Sequence, residues 1–343
     1  MNFDEYVRLQ KPGIYETICK YVPISDQTEN SSRIMRVYVD RQGSYRRPGL
    51  LMLTGQLFGA MKEDLLLPAA AQQLSEDWIL MQDDIEDGSE LRRGKPAIQR
   101  LPGIDDSRAF NATNIGQMAM WRMLNDYALE HAPDKGKRIY EKFYHMLSLT
   151  VEGQDYENNF IHNVKSLGEV DESFYFEVVE AKTCYYTVYG PMQIGALVAG
   201  QEVEVLEALE ALGRPAGVAF QIRDDMLDMI ADEKEFGKKR YGDLYEGKLT
   251  LMALHAFDRA SPGEKERMNG VYAKTRERKD QSDIGFLVDM IEKYDGIGYA
   301  KEKGEKYAEE AEQALEWYDK LFPDNAYKPI LESAIRGLFV RSK

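Results

Sequence analysis

Leu80-Met81-Gln82-Asp83-Asp84-Ile85-Glu86-Asp87-Gly88-Ser89-Glu90-Leu91-Arg92-Arg93-Gly94-Lys95 is the stretch that decides how this chain reads. Five carboxylates fall within eight residues, and two arginines follow at once. On a helix, Asp83 and Asp87 lie one turn apart on one face, with Asp84 alongside. Like charges that close repel unless a cation offsets them. A lone acidic helix end is most simply a solvated one. The pattern returns, however, at Asp224-Asp225-Met226-Leu227-Asp228. Two facing acidic helices are the expectation that organises the rest.

The 343 residues are 43% hydrophobic and 30% charged, enough apolar material for a large core in a soluble chain. No apolar run approaches the roughly 18 residues that span a bilayer, so no membrane insertion is expected. Met1-Asn2-Phe3-Asp4-Glu5 has no basic-then-apolar leader pattern, and Cys19 and Cys184 form no metal-type pair. A reducing, cytoplasmic setting follows. The net charge of -15 argues against nucleic-acid binding, yet local bases and a metal could still hold a phosphorylated ligand.

Helical periodicity dominates. The pattern predicts helices over Phe3–Tyr21 and Arg33–Asp40, then a basic connection, Gly43-Ser44-Tyr45-Arg46-Arg47-Pro48, with Pro48 opening the next helix. Asp64 reads as an N-cap. From there Leu67, Ala70, Ala71, Leu74, Trp78, Met81 and Ile85 form a buried stripe on the helix that delivers the first acidic motif. Gly94 to Asp106 reads as loop. Helices are expected over Ser107–Leu129, Lys135–Tyr156 and Ser173–Tyr189, with a break at Gly190-Pro191 before Met192–Ala199. Glu202–Leu212 and Ala216–Ala231 read as two further helices, the second carrying the second motif. Residues 233–242 read as a charged loop, and the remainder is helical from Leu249. With no repeat or linker, residues 1–343 are expected to form one all-α domain.

Carboxylate oxygen suits Mg²⁺, which keeps several waters and takes one or two carboxylates directly. No histidine or cysteine lies near either motif, which excludes zinc-type ligation there. His131, His145, His162 and His255 show no ligand spacing. Bases occur where a phosphate would need them: Arg92 and Arg93 after the first motif, Lys182 on a helix between, Lys238 and Lys248 after the second. Singly each is a surface charge; together with two acidic clusters they suit a diphosphate.

These residues carry a family resemblance. Gln82-Asp83-Asp84-Ile85-Glu86-Asp87 with Leu91-Arg92-Arg93-Gly94 resembles the first aspartate-rich motif of trans-isoprenyl (polyprenyl) diphosphate synthases. Phe220-Gln221-Ile222-Arg223-Asp224-Asp225-Met226-Leu227-Asp228 resembles the second, and Lys182-Thr183, Gly237-Lys238 and the segment ending Gly247-Lys248 resemble its lysine segments. The resemblance implies an all-α isoprenoid synthase fold, ten or more helices around a central cavity, in a homodimer. It implies condensation of an allylic diphosphate with isopentenyl diphosphate. On this analogy Asp83, Asp84, Asp87, Asp224, Asp225 and Asp228 form the metal set for three Mg²⁺. Arg92, Lys182 and Lys238 contact the allylic diphosphate, while Thr183, Tyr186 and Gln221 lie near the reacting carbon. Arg47, Arg93, Lys248, Ser44 and Glu76 belong to substrate binding.

Two positions depart from that pattern. Ser44 stands where the family has lysine, and Glu76 where it has His or Gln. Arg46 could replace the missing lysine, or the acceptor could differ from isopentenyl diphosphate. Trp78 and Ile79, at the fifth and fourth positions before the motif, resemble the chain-length positions of short-chain enzymes making C15 or C20 products, C20 preferred. Trp78 is equally an ordinary core residue. The rival readings are a class I terpene cyclase, against which Asp224-Asp225-x-x-Asp228 and Arg92-Arg93 speak, and a non-catalytic subunit of a two-component synthase, against which both intact motifs speak.

Overall fold

A computed structural model describes residues 1–27, 29–131, 133–230 and 240–339. Its elements run α1 (Phe3–Tyr21), α2 (Glu29–Arg41), α3 (Arg46–Leu57), α4 (Lys62–Glu86), β1 (Leu91–Arg92), β2 (Lys95–Pro96), α5 (Asp106–Glu130), α6 (Pro133–Asn159) and α7 (Glu172–Val179). A π-helical stretch, Glu180–Tyr189, leads into α8 (Gly190–Val198) and α9 (Val203–Ile230). Then follow α10 (Gly242–Glu246), α11 (Leu251–Arg259), α12 (Pro262–Tyr272), α13 (Gln281–Lys293), α14 (Gly296–Trp317) and α15 (Lys328–Phe339). The expected all-α class holds. Among the described residues, no helix is long and apolar enough to cross a membrane.

The chain groups into two compact units, each drawn from three segments of chain. The first comprises Met1–His145, Tyr189–Glu210 and Trp317–Ala334, and the second Met146–Val188, Ala211–Glu316 and the chain from Ile335.

In the first unit α4 is the centre, packed by α1, α3 and α5. It is buried on every side from Pro68 to Trp78, which the amphipathic stripe did not anticipate. Leu74, Trp78 and Met81 are core as expected, each stabilising by about 1.5–3 kcal/mol. Leu67 and Ile85 are only half-buried, while Gln72, Gln73, Ser75, Glu76 and Asp77 are inside. Polar residues at 72–77 are thus packed within the unit rather than solvated. The start of α4 is also corrected: the helix begins at Lys62 after an uncapped Met61, and Asp64 is a first-turn acid, not the cap. Beside it α3 and α8 meet backbone to backbone. A Cβ on Gly195 would lie 2.1 Å from the Leu51 carbonyl oxygen, so only glycine fits.

In the second unit, the Glu180–Tyr189 stretch also approaches α9 closely, a Cβ on Gly217 falling 2.9 Å from Cys184 Cα. Two expected breaks do not occur. Gly190-Pro191 begins α8 directly, proline being tolerated in a first turn, and Pro215 lies inside an unbroken α9.

Candidate active site

The first acidic motif closes α4, with Asp87 as C-cap. After it comes a hairpin of two-residue strands, β1 against β2, which overlaps the start of the loop expected from Gly94 and turns at Arg93 and Gly94 with φ of 55° and 71°. Two successive positive φ values define the tight turn whose twist matches a hairpin. The turn sends the two arginines to different places. Arg92 donates from Nη2 to Asp83 at 3.1 Å and to Asp84 at 2.5 Å, and from Nε to both Asp84 oxygens at 3.0 Å. Asp84 is wholly buried and also accepts a hydrogen bond from Tyr38 Oη. Burial opposes the Arg92 charge, but Asp84 and Asp83 more than offset this and hold the guanidinium protonated.

Arg93 reaches back along α4. Its Nη1 donates to the Tyr38 carbonyl and its Nη2 to Asp77 Oδ1, both at 3.0 Å, with Glu76 Oε1 3.8 Å away. Arg47 pairs with the same Glu76 oxygen at 3.2 Å. Burial pushes the Asp77 carboxyl up to about 7, against the pull of Arg93. Arg46 pairs with Asp4 at 3.3 Å and lies over the Phe3 ring. Ser44 is exposed. Trp78 is core, its Cβ 3.1 Å from where a Cβ on Gly116 of α5 would sit, and Ile79 is half-buried.

The second unit holds the other motif. Asp225 is buried and accepts from Tyr175 Oη at 2.8 Å and Gln221 Nε2 at 2.7 Å, and Thr183 Oγ1 donates to Gln221 Oε1 at 3.0 Å. Burial raises the Asp225 pKa, opposed by the Gln221 and Tyr175 hydrogen bonds. Asp228 accepts from the backbone N–H groups of Gly242 and Asp243 at 3.1 and 3.2 Å, anchoring α10. Asp224 is half-buried. Lys182 is ion-paired with Glu157, Tyr186 is buried on the same π-helical stretch, and Lys248 pairs with Glu246 at 2.8 Å. Lys238 lies outside the described residues.

Among the described residues no three His, Cys, Asp or Glu side chains converge on one metal position. The donor set still fits Mg²⁺, which is held by one or two carboxylates with water and phosphate oxygens completing the shell. Asp83 and Asp87, half-buried one turn apart at the end of α4, are such a pair. Sequence reasoning missed Tyr38, Asp77, Glu157 and Tyr175. Asp77 was visible as half of a Glu-Asp pair interrupting an apolar helix; the other three carry no local signal.

The all-α fold and these acidic motifs with their bases define an isoprenoid-synthase enzyme. The polyprenyl synthetase family model matches residues 28–291, and the chain belongs to that family. It is 29% identical to the geranylgeranyl diphosphate synthase of Methanosarcina mazei over 92% of each chain. It is 30% identical to the short chain isoprenyl diphosphate synthase of Methanothermobacter thermautotrophicus, over 91% of this chain and 90% of that one. Among solved structures, geranylgeranyl pyrophosphate synthetase from Pyrococcus horikoshii covers 99% of both chains with TM-score 0.83 and 27% identity. A polyprenyl synthase from Caulobacter crescentus, complexed with calcium and isoprenyl diphosphate, matches with TM-score 0.83 and 25% identity. The chain is a prenyltransferase of the isoprenyl diphosphate synthase kind.

Proposed function

We propose that the chain condenses an allylic diphosphate with isopentenyl diphosphate in the cytoplasm, giving a C15–C20 diphosphate, C20 preferred. The observation that carries this reading is the end of α4, where Asp83 and Asp87 stand one turn apart while Arg92 spans Asp83 and Asp84. Asp84, buried under Tyr38 and Arg92, orients that arginine rather than meeting a metal. Asp225 and Asp228 are likewise engaged in hydrogen bonds. On this reading Asp83, while paired with Arg92, meets the metal together with Asp87 and Asp224. Three Mg²⁺ is the ion count this reading takes. When bound, they neutralise the diphosphate and make it a better leaving group.

The chain's own residues then do the following. Arg92, Lys182 and Lys238 hold the departing phosphate oxygens. Thr183 and Gln221, hydrogen-bonded to each other, and the neighbouring Tyr186 present dipoles to the allylic cation. The alkene carbon of isopentenyl diphosphate forms the new C–C bond, and the proton it sheds goes to released pyrophosphate. Arg47, Arg93 and Lys248 bind the co-substrate, and Trp78, backed by Gly116, closes the tail pocket. The chain works as a homodimer: Phe110 and Met118 on α5 and Tyr140 and Tyr144 on α6 are exposed, at 49%, 64%, 41% and 61%. A second reading, cyclisation without a co-substrate, is favoured by the engagement of Arg47 and Arg93 with Glu76 and Asp77.

The test is incubation with Mg²⁺, isopentenyl diphosphate and C5, C10 or C15 allylic diphosphates, with products identified by mass. Elongated diphosphates ending at C20 are expected. Hydrocarbons formed without isopentenyl diphosphate would favour cyclisation, and no turnover with any pair would defeat both readings.

A further inference from the structure

We infer that Glu76 and Asp77 are specificity-determining residues for the co-substrate: two built-in anions that compete with an incoming diphosphate for Arg47 and Arg93. The inference rests on the condensation proposed above and concerns the first unit alone. Glu76 and Asp77 are 5% and 1% exposed and sit on α4, inside its buried run from Pro68 to Trp78. Glu76 Oε1 lies 3.2 Å from Arg47 and 3.8 Å from Arg93, and Asp77 Oδ1 lies 3.0 Å from Arg93. The guanidiniums reach the surface, with side-chain exposures of 24% and 18%, so a ligand can touch both.

The two carboxylates are not satisfied by these pairs. Glu76 Oε2 and Asp77 Oδ2 are buried with no hydrogen-bond partner among the described residues, as is Tyr45 Oη in the adjoining loop. A purely structural ion pair would have its remaining lone pairs engaged. The loop itself adds no mobile cation. Lys11 is spent on the Gln42 and Gly43 carbonyls and the Tyr45 ring, and Arg46 on Asp4 and Phe3. Gly43 is pressed so close to Arg93 that a Cβ there would fall 2.3 Å from Nη2, which fixes the guanidinium beside Asp77. Two guanidiniums therefore face two carboxylates, and a diphosphate must share or displace these anions in a half-buried, weakly screened setting. The site admits isopentenyl diphosphate weakly, and its affinity is set by residues 76 and 77.

Steady-state kinetics on the full chain at about pH 8, above the titration of Asp77, test this, with allylic diphosphate saturating and isopentenyl diphosphate varied, for wild type, Glu76→Gln, Asp77→Asn and Ser44→Lys. Removing either carboxylate, or adding a cation at exposed position 44, is expected to lower KM for isopentenyl diphosphate about tenfold. The gain should reside in KM rather than kcat, and KM for the allylic partner should stay put, which also certifies the fold. Calorimetric titration of isopentenyl diphosphate alone reads the same affinity without turnover. Tighter binding by Glu76→Gln than by wild type sustains the inference even if no allylic pair turns over and the proposed condensation fails. Unchanged or weaker binding in both carboxylate variants overturns it.

Discussion

Position by position, the carboxylates of the two motifs are held by different partners. Asp84 and Asp228 are held by Tyr38 and Arg92 and by the α10 backbone, and Asp225 by Tyr175 and Gln221. Asp83→Ala and Asp224→Ala should each lower kcat by about a thousandfold or more, the scale of lost electrostatic stabilisation at a leaving group, with circular dichroism unchanged. Full activity in either would remove that residue from the metal set. Asp77 yields a pH prediction. Its ordinary value is 3.8 and burial lifts it to about 7, so between those values the folded chain holds a proton that the unfolded chain has released. Stability from this group is therefore full below the lower value and is lost as pH rises through the upper one. Wild type should lose Tm relative to Asp77→Asn between about pH 4 and pH 7; a constant difference would contradict it. The aspartates were legible because like charge at helical spacing is a local pattern. Their division of labour was not, since Tyr38 and Tyr175 arrive from 46 and 50 residues away.

Among the elements, α4 shows how a correct helix can be assigned the wrong surroundings. Its residues at spacings of three and four predict a one-sided helix, yet from Pro68 to Trp78 neighbours cover it all round, and the polar residues at 72–77 become interior groups. Nothing in a hydropathy period announces that, because the period describes one face and not the number of neighbours. Turn chemistry was legible in principle at Arg93-Gly94, but a two-residue strand is too short to show alternation. Close helix contact yields the stability prediction at this scale. Gly195→Ala drives a methyl into the Leu51 carbonyl and should cost about 1–3 kcal/mol or more in urea unfolding, whereas Gly263→Ala, with open space around it, should cost little. Trp78→Ala opens the volume beside Gly116 and should lengthen the main product by one or more C5 units. An unchanged product distribution would return Trp78 to the ordinary core.

For the whole molecule, the net charge of -15 coexists with a substrate class that is itself anionic. Bound cations and clustered bases reconcile the two, so chelation with EDTA should abolish turnover and added Mg²⁺ should restore it. The fold class was legible from end to end, since helical periodicity and two motifs in order leave few alternatives. The split into two compact units was not, because each unit is assembled from three distant segments and composition changes at none of the joins. The exposed Phe110, Met118, Tyr140 and Tyr144 predict a dimer by light scattering, and a monomer at micromolar concentration would contradict it. The most direct test of the central claim is the stoichiometry of pyrophosphate release with Mg²⁺ and a C15 allylic diphosphate. One pyrophosphate should appear for each isopentenyl diphosphate consumed, and none in its absence; release that proceeds equally well without isopentenyl diphosphate would contradict the account.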